Sequence, residues 1–328
     1  MHSFDVVVPC FNYGKYLPQC ISSILNQEGC LLRVLIIDDA SCDGSAEVAY
    51  RLATRDPRIN LIVHPKNIGH ISTYNEGIGW AQQDYFLLIS ADDVLAPGAL
   101  KRAGDLLAAT PNISFVYGRS VSFRGEMPSI ENPLAPTPPR IVPGSQFIAE
   151  ICADPRNPVE TSTAVVRTSV QKKVGLYKSE LQHAGDFEMW LRCAASGDVG
   201  NIDLVQGFRR YHDRNMSSFY FADGFIRDFE QRFDTFRIFF AEHGKGLKDG
   251  KQLLKLANRG LAKKIIKKAK VEFREKRVRS ALRLLWLASR VDAIMLMTKS
   301  CVFIGRLFSL HVRAALKYCP FVCGHRPR

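Results

Sequence analysis

The stretch "LLISADDVLAPG", Leu87 to Gly98, runs a strand of apolar residues into two adjacent carboxylates and then turns toward a helix. Neighbouring carboxylates repel each other, and at the end of a strand they lie close to the low-dielectric interior. Asp92 and Asp93 therefore call for an opposing charge, which a metal ion, a partner cation or water could supply. The simpler alternative for each carboxylate is a helix cap or a solvated turn.

Apolar strand-like runs alternate with helical patterns along the first 90 residues. The predicted strands are "FDVVVP" (4–9), "LRVLIIDD" (32–39), "INLIVHP" (59–65) and "YFLLIS" (85–90), and the predicted helices cover 16–27, 45–55 and 71–83, with Ser45 as a cap. This alternation is typical of an α/β fold around a mainly parallel sheet. Ligands of such sheets bind at the carboxyl ends of the strands, where Asp38, Asp39, Asp92 and Asp93 all lie.

The second half of the chain changes in texture. Eight prolines between residues 124 and 158 predict an irregular loop near a binding face. Residues 186–197 read as a helix closed by Gly197, and residues 200–212 as strand, turn and strand. From about residue 225 the chain is predicted to be helical and increasingly basic, so we divide it into a first domain, 1–225, and a C-terminal region, 226–328.

The net charge of +13 is unevenly distributed. Residues 245–328 carry +18 and residues 1–244 carry −5, so the basic excess belongs to the tail. Within residues 263–290 apolar side chains recur at helical spacing among Lys and Arg, which fits either a helical bundle with a solvated basic surface or a helix on an anionic membrane surface. Nucleic acid is not expected as a partner, because no recognised binding module accompanies the charge.

The nine cysteines are scattered, with no CxxC pair and no zinc-type histidine spacing, and we interpret them as reduced thiols. The N-terminus lacks the pattern of a signal peptide, and the apolar segment at 293–310 is interrupted by Lys299 and Arg306. These features predict a cytoplasmic protein without a membrane span, which the basic tail could hold peripherally at the inner face of the membrane.

The carboxylates at the strand ends favour a hard divalent cation. Mg²⁺ or Mn²⁺ held by one or two carboxylates usually completes its coordination with water and substrate phosphates. The phosphate-binding motifs GxGxxG and GxxxxGK[ST] are missing after the first strand, where the chain reads "VPCFNYGKYL". A metal is therefore expected to contact the diphosphate of a nucleotide.

Five segments in order carry a resemblance to a known family: "VVVPCFNYGKYLPQCISSILNQ", "VLIIDDASCDGS", "NIGHISTYNEGI", "YFLLISADD" and "AGDFEMWLR". Over residues 4–215 the chain resembles the family 2 glycosyltransferases, an inverting group with the GT-A fold. The resemblance implies that residues 1–225 are the catalytic domain. It also implies a nucleotide-diphosphate sugar as donor, with a UDP-sugar expected, and Mg²⁺ or Mn²⁺ as cofactor.

The resemblance also implies roles for individual residues. Those expected to bind the nucleotide sugar are Pro9, Phe11, Asn12, Asp38, Asp39, Asn67, Asn75, Ser90, Asp93 and Arg210. Asp92 corresponds to the metal ligand of the family's DXD-type motif, in which Ser90 replaces the usual Asp. His212, in the late segment "RRYHDRNMSS", is expected at the diphosphate or the metal.

Asp186 corresponds to the family's catalytic base, and Glu188 is the alternative two positions along the same predicted helix. Inversion needs one carboxylate that removes the proton of the acceptor hydroxyl as it attacks the anomeric carbon. The expected function is thus transfer of a sugar to a saccharide or lipid-linked saccharide in polysaccharide or glycan biosynthesis. A sugar nucleotidyltransferase and a noncatalytic nucleotide or saccharide-binding module are the alternatives.

Overall fold

The computed structural model describes residues 1–129, 137–213, 215–216, 220–221 and 225–293. The strands are β1 (His2–Cys10), β2 (Cys30–Asp38), β3 (Ile59–Val63), β4 (Tyr85–Leu88), β5 (Val94–Leu95), β6 (Ile113–Phe123), β7 (Arg140–Val142), β8 (Val165–Arg167) and β9 (Asp198–Arg210). The α-helices are α1 (Leu17–Leu25), α2 (Ser45–Arg55), α3 (His70–Trp80), α4 (Ala99–Ala109), α5 (Gly144–Ala153), α6 (Thr168–Val174), α7 (Gly185–Ala194), α8 (Ile226–His243), α9 (Gly250–Arg274) and α10 (Val278–Val291).

The chain divides into two compact units, Met1–Ala257 and Asn258–Arg328. The first unit holds one sheet, in the order β3-β2-β1-β4-β8-β6-β9-β5, with β7 also paired to β9. Strands β1 to β4 are mutually parallel, and so is the long pair of β6 and β9, whereas β8 runs antiparallel between β4 and β6. The predicted α/β architecture with a mostly parallel sheet is confirmed.

Side chains of the parallel strands alternate between two apolar cores, one on each face of the sheet. Val6 and Val8 of β1 belong to the core that also contains Leu17 and Leu100, from α1 and α4. Val7 points to the opposite core. Because both faces are covered, these strands read as continuous apolar runs, and the polar residues are left to the strand ends.

On the second face, α3 lies close against β1. A methyl group at Gly77 would approach Val7 Cγ1 to 2.4 Å, so only glycine permits this contact. Aromatic residues of α8 extend the same core, with Phe236 edge-on to Phe187 at a ring-centre distance of 5.5 Å. This packing holds α3, α7 and α8 beside the carboxyl ends of β1 and β4.

Several predictions about local structure were wrong. The N-cap of α2 is Gly44 with φ of 83°, and Ser45 is the first helical residue. The proline-rich region contains β7 and α5, since Pro143 precedes α5 and Pro155 follows it, so the prolines bound the elements without interrupting them. Residues 198–210 form one strand, in which Gly207 pairs with both β5 and β6. Helix α7 ends at Ala194, before Gly197.

The second unit is helical where it is described. The helix α10 buries Ala281, Leu284, Leu287, Ala288 and Val291 and exposes Val278, Leu282 and Trp286. Within the described residues no helix combines the length and the apolar character that crossing a membrane requires. Most of the apolar segment 293–310 lies outside the described residues, as do Cys301, Cys319 and Cys323, while the six described cysteines are free thiols.

Candidate active site

A cleft of about 300 Å³ opens at the carboxyl ends of β1 and β4. Pro9 of β1, the Ser90–Asp93 turn after β4 and Asp186 of α7 all line it. The parallel strands deliver the first two groups, and the first turn of α7 delivers the third. The cleft therefore lies where ligands of open α/β sheets bind.

Asp92 is buried at the centre of a polar network in this cleft. Its Oδ2 lies 3.0 Å from His212 Nε2 and accepts a hydrogen bond from Asn215 Nδ2 at 3.1 Å. The hydroxyl of Ser90 donates to Oδ1 of the same carboxylate. Ser90 and His212 thus both contact the Asp92 carboxylate directly, although His212 is 120 residues from Asp92 in the sequence.

Asp93 is buried beside Asp92, and its Oδ1 accepts the main-chain N–H of Arg210 at 3.1 Å. Burial and the adjacent charge of Asp92 raise the pKa of Asp93 to about 8. Two acidic side chains are thus buried side by side, and a bound cation would relieve their repulsion.

Within the described residues, no group of three or more His, Cys, Asp or Glu side chains forms a metal site. Asp92 and His212 offer one carboxylate oxygen and one imidazole nitrogen 3.0 Å apart. The Asp92 carboxylate fits a Mg²⁺ or Mn²⁺ ion that takes other oxygen ligands from a diphosphate and from water, and a bond from His212 to the metal stays a prediction. The two groups do not fit a cation enclosed by protein ligands alone.

Replacing Asp93 with Asn tests the electrostatic cost of this pair. Since the pKa of Asp93 is raised in the folded state, folding binds a proton between pH 4 and 8, and stability falls as the pH rises through that interval. We expect Asp93→Asn to raise the melting temperature by about 5 °C at pH 7.5, and to change it little near pH 3.5. Thermal unfolding at the two pH values, without added metal, measures this. An equal melting temperature for both proteins at pH 7.5 would contradict it.

Asp186 lies in the first turn of α7, and its carboxylate faces the cleft. Oδ2 accepts hydrogen bonds from Asn157 Nδ2 at 2.9 Å and from Thr161 Oγ1 at 3.4 Å, while Oδ1 accepts the N–H of Phe187 at 2.8 Å. Burial raises the pKa of Asp186 to about 6. A carboxylate with this pKa is ionised at neutral pH and is a stronger base than an exposed aspartate.

The alternative base, Glu188, is fully buried away from the cleft. Its Oε2 accepts the Nε–H of Arg192 at 2.9 Å, and the same guanidinium donates to the carbonyl of Leu176. Two positions on a helix differ by about 200°, which explains why the two acids face different surroundings. Of the two candidates, the geometry favours Asp186.

The predicted residues of the first loop are only partly at the cleft. Pro9 lines it, and Phe11 is 45% exposed. Asn12 has a positive φ of 59°, and its Oδ1 accepts the N–H of Cys42 at 2.9 Å, so its side chain ties this loop to the loop after β2. Their contacts with a nucleotide stay a prediction.

Asp38 and Asp39 are buried and accept internal hydrogen bonds, although Asp38 Oδ1 has no hydrogen-bond partner among the described residues. Asp38 Oδ2 accepts the N–H of Ser41 at 3.0 Å. Asp39 accepts the N–H groups of Ile68 and Gly69 at 2.8 and 2.9 Å, and His64 Nδ1 lies 2.8 Å from its Oδ1. Both acids organise the turns beside the cleft, and their predicted contact with the base and ribose is untested.

The side chains of Asn67 and Asn75 also form hydrogen bonds with main-chain groups. Asn67 donates to the carbonyl of Asp39 at 3.1 Å. Asn75 donates to the carbonyl of Tyr177 at 3.0 Å and accepts its N–H at 2.7 Å. Asn75 is not among the residues that line the cleft. The structure thus gives Asn75 a supporting role, and a contact with the sugar nucleotide stays a prediction.

Of two neighbouring arginines on β9, Arg209 lines the cleft and the predicted Arg210 does not. Arg210 packs between the rings of Tyr16 and Phe123, and its Nε donates to the carbonyl of Asp92 at 3.1 Å. Arg209 Nη1 pairs with Glu160 Oε1 at 3.1 Å. Successive residues of a strand point to opposite sides, so the strand pattern of "GFRRYH" implies that only one of the two arginines faces the cleft, but not which one.

Other residues of the cleft were missed from the sequence. They are Asn157, Glu160, Thr161, His183, Asp228 and Arg232, among others. Asp228 and Arg232 form an i,i+4 ion pair on α8, with His183 Nε2 3.1 Å from Asp228 Oδ1. The spacing of the pair predicts an ion pair but not its location, because helix packing alone brings α8 to the cleft.

The chain is similar to known proteins that share one family description. Residues 5–164 match the family model of glycosyl transferase family 2. An uncharacterized glycosyltransferase of Haemophilus influenzae is 25% identical over 230 residues, which cover 66% of this chain and 68% of that protein. The succinoglycan biosynthesis protein ExoO of Rhizobium meliloti is 35% identical over 96 residues, which cover 29% of this chain and 27% of ExoO.

Solved structures share the fold. S. aureus TarS 1–349 in complex with UDP-GlcNAc has a TM-score of 0.62 and 16% identity, covering 89% of this chain and 83% of that chain. The mannosyltransferase PcManGT from Pyrobaculum calidifontis, in complex with GDP-Man and Mn²⁺, has a TM-score of 0.58 and 16% identity, covering 92% of this chain and 80% of that chain. The chain therefore has the GT-A fold of these structures, with its cleft at the carboxyl ends of the parallel strands. Residues 5–164 belong to glycosyl transferase family 2.

Proposed function

We propose that the protein is a metal-dependent, inverting glycosyltransferase that moves a sugar from a nucleotide diphosphate to a saccharide hydroxyl. The observation that carries the proposal is that one cleft contains both the adjacent acids Asp92 and Asp93, which could hold a cation, and Asp186, which could act as a base. The proposal assigns catalysis to residues 1–225, and the relatives in complex with UDP-GlcNAc and GDP-Man support a nucleotide-sugar donor.

Asp186 acts as the general base. Its Oδ2 is held by Asn157 and Thr161, so the carboxylate keeps one orientation toward the cleft. It accepts the proton of the acceptor hydroxyl as the oxygen attacks the anomeric carbon on the face opposite the departing diphosphate. Attack from that face inverts the configuration at this carbon.

Asp92 and His212 would hold a Mg²⁺ or Mn²⁺ ion, which when bound supplies positive charge to stabilise the departing diphosphate. Ser90 and Asn215 fix the orientation of the Asp92 carboxylate through hydrogen bonds to Oδ1 and Oδ2. Asp93 supports this turn through the main-chain N–H of Arg210. The protein's own contribution is therefore a pre-oriented acidic site, which lowers the reorganisation needed when the donor binds.

The donor is expected to be a UDP-sugar that contacts Pro9, Phe11, Asn12, Asp39 and the turn at Asn67. The acceptor is proposed to be a saccharide or a lipid-linked saccharide in surface polysaccharide synthesis. Support comes from relatives such as ExoO, a succinoglycan biosynthesis protein, and the chondroitin synthase of Pasteurella multocida, of which the alignment covers 10%.

A donor panel tests the proposed function. The purified full-length chain is incubated with UDP-, GDP- and dTDP-sugars, with Mg²⁺, Mn²⁺ or EDTA, and both donor binding and release of the nucleoside diphosphate are measured. We expect binding and slow hydrolysis of one donor class, both lost in EDTA. Binding without hydrolysis or transfer to any acceptor would favour a noncatalytic module. In a separate incubation with a nucleoside triphosphate and a sugar phosphate, release of pyrophosphate would favour a nucleotidyltransferase.

The pH dependence of turnover follows from the pKa of the base. Burial raises the pKa of Asp186 to about 6, and only the ionised form accepts a proton. At saturating donor, kcat is expected to rise about tenfold per pH unit below pH 6 and to level off above it. Initial rates from pH 4.5 to 8 measure this profile. A rate independent of pH below 6 would contradict Asp186 as the base.

We further propose that the second unit binds the surface of an anionic membrane. On α10 the exposed Val278, Leu282 and Trp286 follow i, i+4, i+8 spacing, with Arg279 and Arg283 beside them. Apolar side chains flanked by arginines suit an interface with acidic headgroups, and residues 245–328 carry +18.

Sedimentation with phosphatidylglycerol vesicles at low salt tests this proposal on the full-length chain. Leu282→Glu together with Trp286→Glu is expected to reduce the bound fraction several-fold, as is high salt. Tyr50→Glu, at a 67% exposed aromatic residue of the first unit, is the matched control. Equal sedimentation of all proteins, or none by the unmodified chain, would refute membrane binding by this surface.

A further inference from the structure

His64 is a buried histidine that contacts two carboxylates. It follows β3, and its Nδ1 lies 2.8 Å from Asp39 Oδ1, while Nε2 lies 2.7 Å from Glu76 Oε2 on α3. Its own N–H donates to the carbonyl of Asp38 at 2.9 Å. The imidazole therefore connects three elements, β2, β3 and α3, directly beneath the turn that carries Asp39.

The pattern of contacts defines the charge of the ring. Ionised carboxylates only accept hydrogen bonds, so two of them at hydrogen-bond distance require a hydrogen on both ring nitrogens. Such a ring is an imidazolium. Burial favours the neutral form, but the hydrogen bonds to Asp39 and Glu76 outweigh it and raise the pKa of His64 above its ordinary value.

The carboxylate that His64 holds is the one that organises the next turn. Asp39 Oδ1 also accepts the N–H of Ile68, and Oδ2 accepts the N–H of Gly69. Asn67 returns a hydrogen bond to the carbonyl of Asp39 at 3.1 Å. Asp39 and the turn 67–69 are thus joined by hydrogen bonds into one unit. Among the described residues, His64 is the only cationic side chain within hydrogen-bond distance of the Asp39 carboxylate.

We propose that His64 is a positioning residue that, as an imidazolium held by Glu76, orients Asp39 and the turn 67–69 to receive the nucleotide of the donor. The proposal rests on the proposed function, because it assigns Asp39 to the nucleotide. Asp39, from the end of β2, and Glu76, from α3, are the charged groups that face the ring. Loss of the proton leaves a neutral ring that can donate only one hydrogen bond, so Asp39 and Glu76 compete for it and Asp39 is held less firmly.

Binding of UDP as a function of pH tests this proposal. Titration calorimetry from pH 6 to 9, with Mg²⁺ and no acceptor, is expected to show affinity falling as the pH rises through the pKa of His64. His64→Gln should bind UDP about tenfold more weakly at pH 6.5 and lose this inflection, since a hydrogen bond to a charged group is removed. In Glu76→Gln one stabilising carboxylate is gone, so the inflection should move to a pH about one unit lower.

Two controls separate His64 from other causes. His2→Gln removes another His–Asp contact, to Asp105 at 2.9 Å, at the start of β1 and should leave UDP binding unchanged. Asp93→Asn removes a second group whose pKa, about 8, lies within the titrated range. An inflection that stays in place in Glu76→Gln and disappears in Asp93→Asn would overturn the proposal.

The charge of the ring can be read without any ligand. ¹⁵N chemical shifts of the His64 imidazole are expected to report two protonated nitrogens at pH 7, and one protonated nitrogen at that pH would overturn the proposal. Absence of UDP binding by every protein would overturn the UDP-sugar donor of the proposed function, and the role of His64 in binding UDP with it. The two failures are thus distinguished, because the ¹⁵N measurement does not depend on nucleotide binding.

Discussion

Asp186→Asn is expected to lower kcat for sugar transfer about 10³-fold and to leave the donor affinity within a factor of two. The amide occupies the same volume and still accepts a hydrogen bond through its oxygen, but it does not remove a proton at neutral pH. General-base catalysis contributes roughly 10²- to 10⁴-fold, so the loss should appear in kcat and hardly in KM for the donor. Steady-state rates with the donor and acceptor that the panel identifies, together with calorimetry of donor binding, measure both quantities.

A matched control for this variant is Glu180→Gln, which neutralises an exposed acid just before α7, outside the residues that line the cleft. This control should retain full activity. Unchanged turnover in Asp186→Asn would exclude Asp186 as the base. Loss of donor binding together with turnover would show that Asp186 binds the donor instead.

Asp92→Ala is expected to weaken metal-dependent donor binding about 100-fold, a loss of the size that removal of metal-site interactions produces. The carboxylate contacts His212, Asn215 and Ser90, so its removal leaves the proposed metal position with His212 and without an anionic ligand. Donor affinity measured with Mn²⁺ and with EDTA separates the effects, since the variant should resemble the unmodified protein in EDTA.

Asp105→Ala provides the comparison, because Asp105 is half exposed on α4 and pairs with Lys101 and His2 away from the cleft. Its donor affinity should stay unchanged with and without metal. If Asp92→Ala binds the donor as tightly as the unmodified protein in Mn²⁺, Asp92 is not the metal ligand, and the site must be assigned elsewhere.

Both predictions concern residues that were singled out from the sequence, Asp92 because it follows a parallel strand and Asp186 because of the family resemblance. The apolar runs of β1, β2 and β4 are buried on both faces, so the first polar residues after them had to lie at the sheet edge where the cleft opens. Asp92 and Asp93 do line the cleft, as do Pro9 and Ser90, which the family resemblance had indicated, while the roles of all four stay predictions. The position at a strand end did not distinguish a carboxylate that faces the cleft from one that holds a turn, such as Asp39.

The choice between neighbouring residues depended on the tertiary structure. Arg209 and Arg210 are chemically identical, and only the side of β9 on which each lies decides that Arg209 faces the cleft while Arg210 packs against Tyr16. Asp186 and Glu188 are separated in the same way by the turn of α7.

The alternation of apolar strands and helices was sufficient to predict the α/β fold and the edge of the sheet where the cleft opens, because burial of apolar surface is encoded locally along the chain. The contacts of Asp92 with His212 and Asn215, and the approach of α8 to the cleft, join residues more than 100 positions apart or depend on helix packing. Such contacts form only when the whole sheet and its helices have assembled, and no local pattern in the chain specifies them.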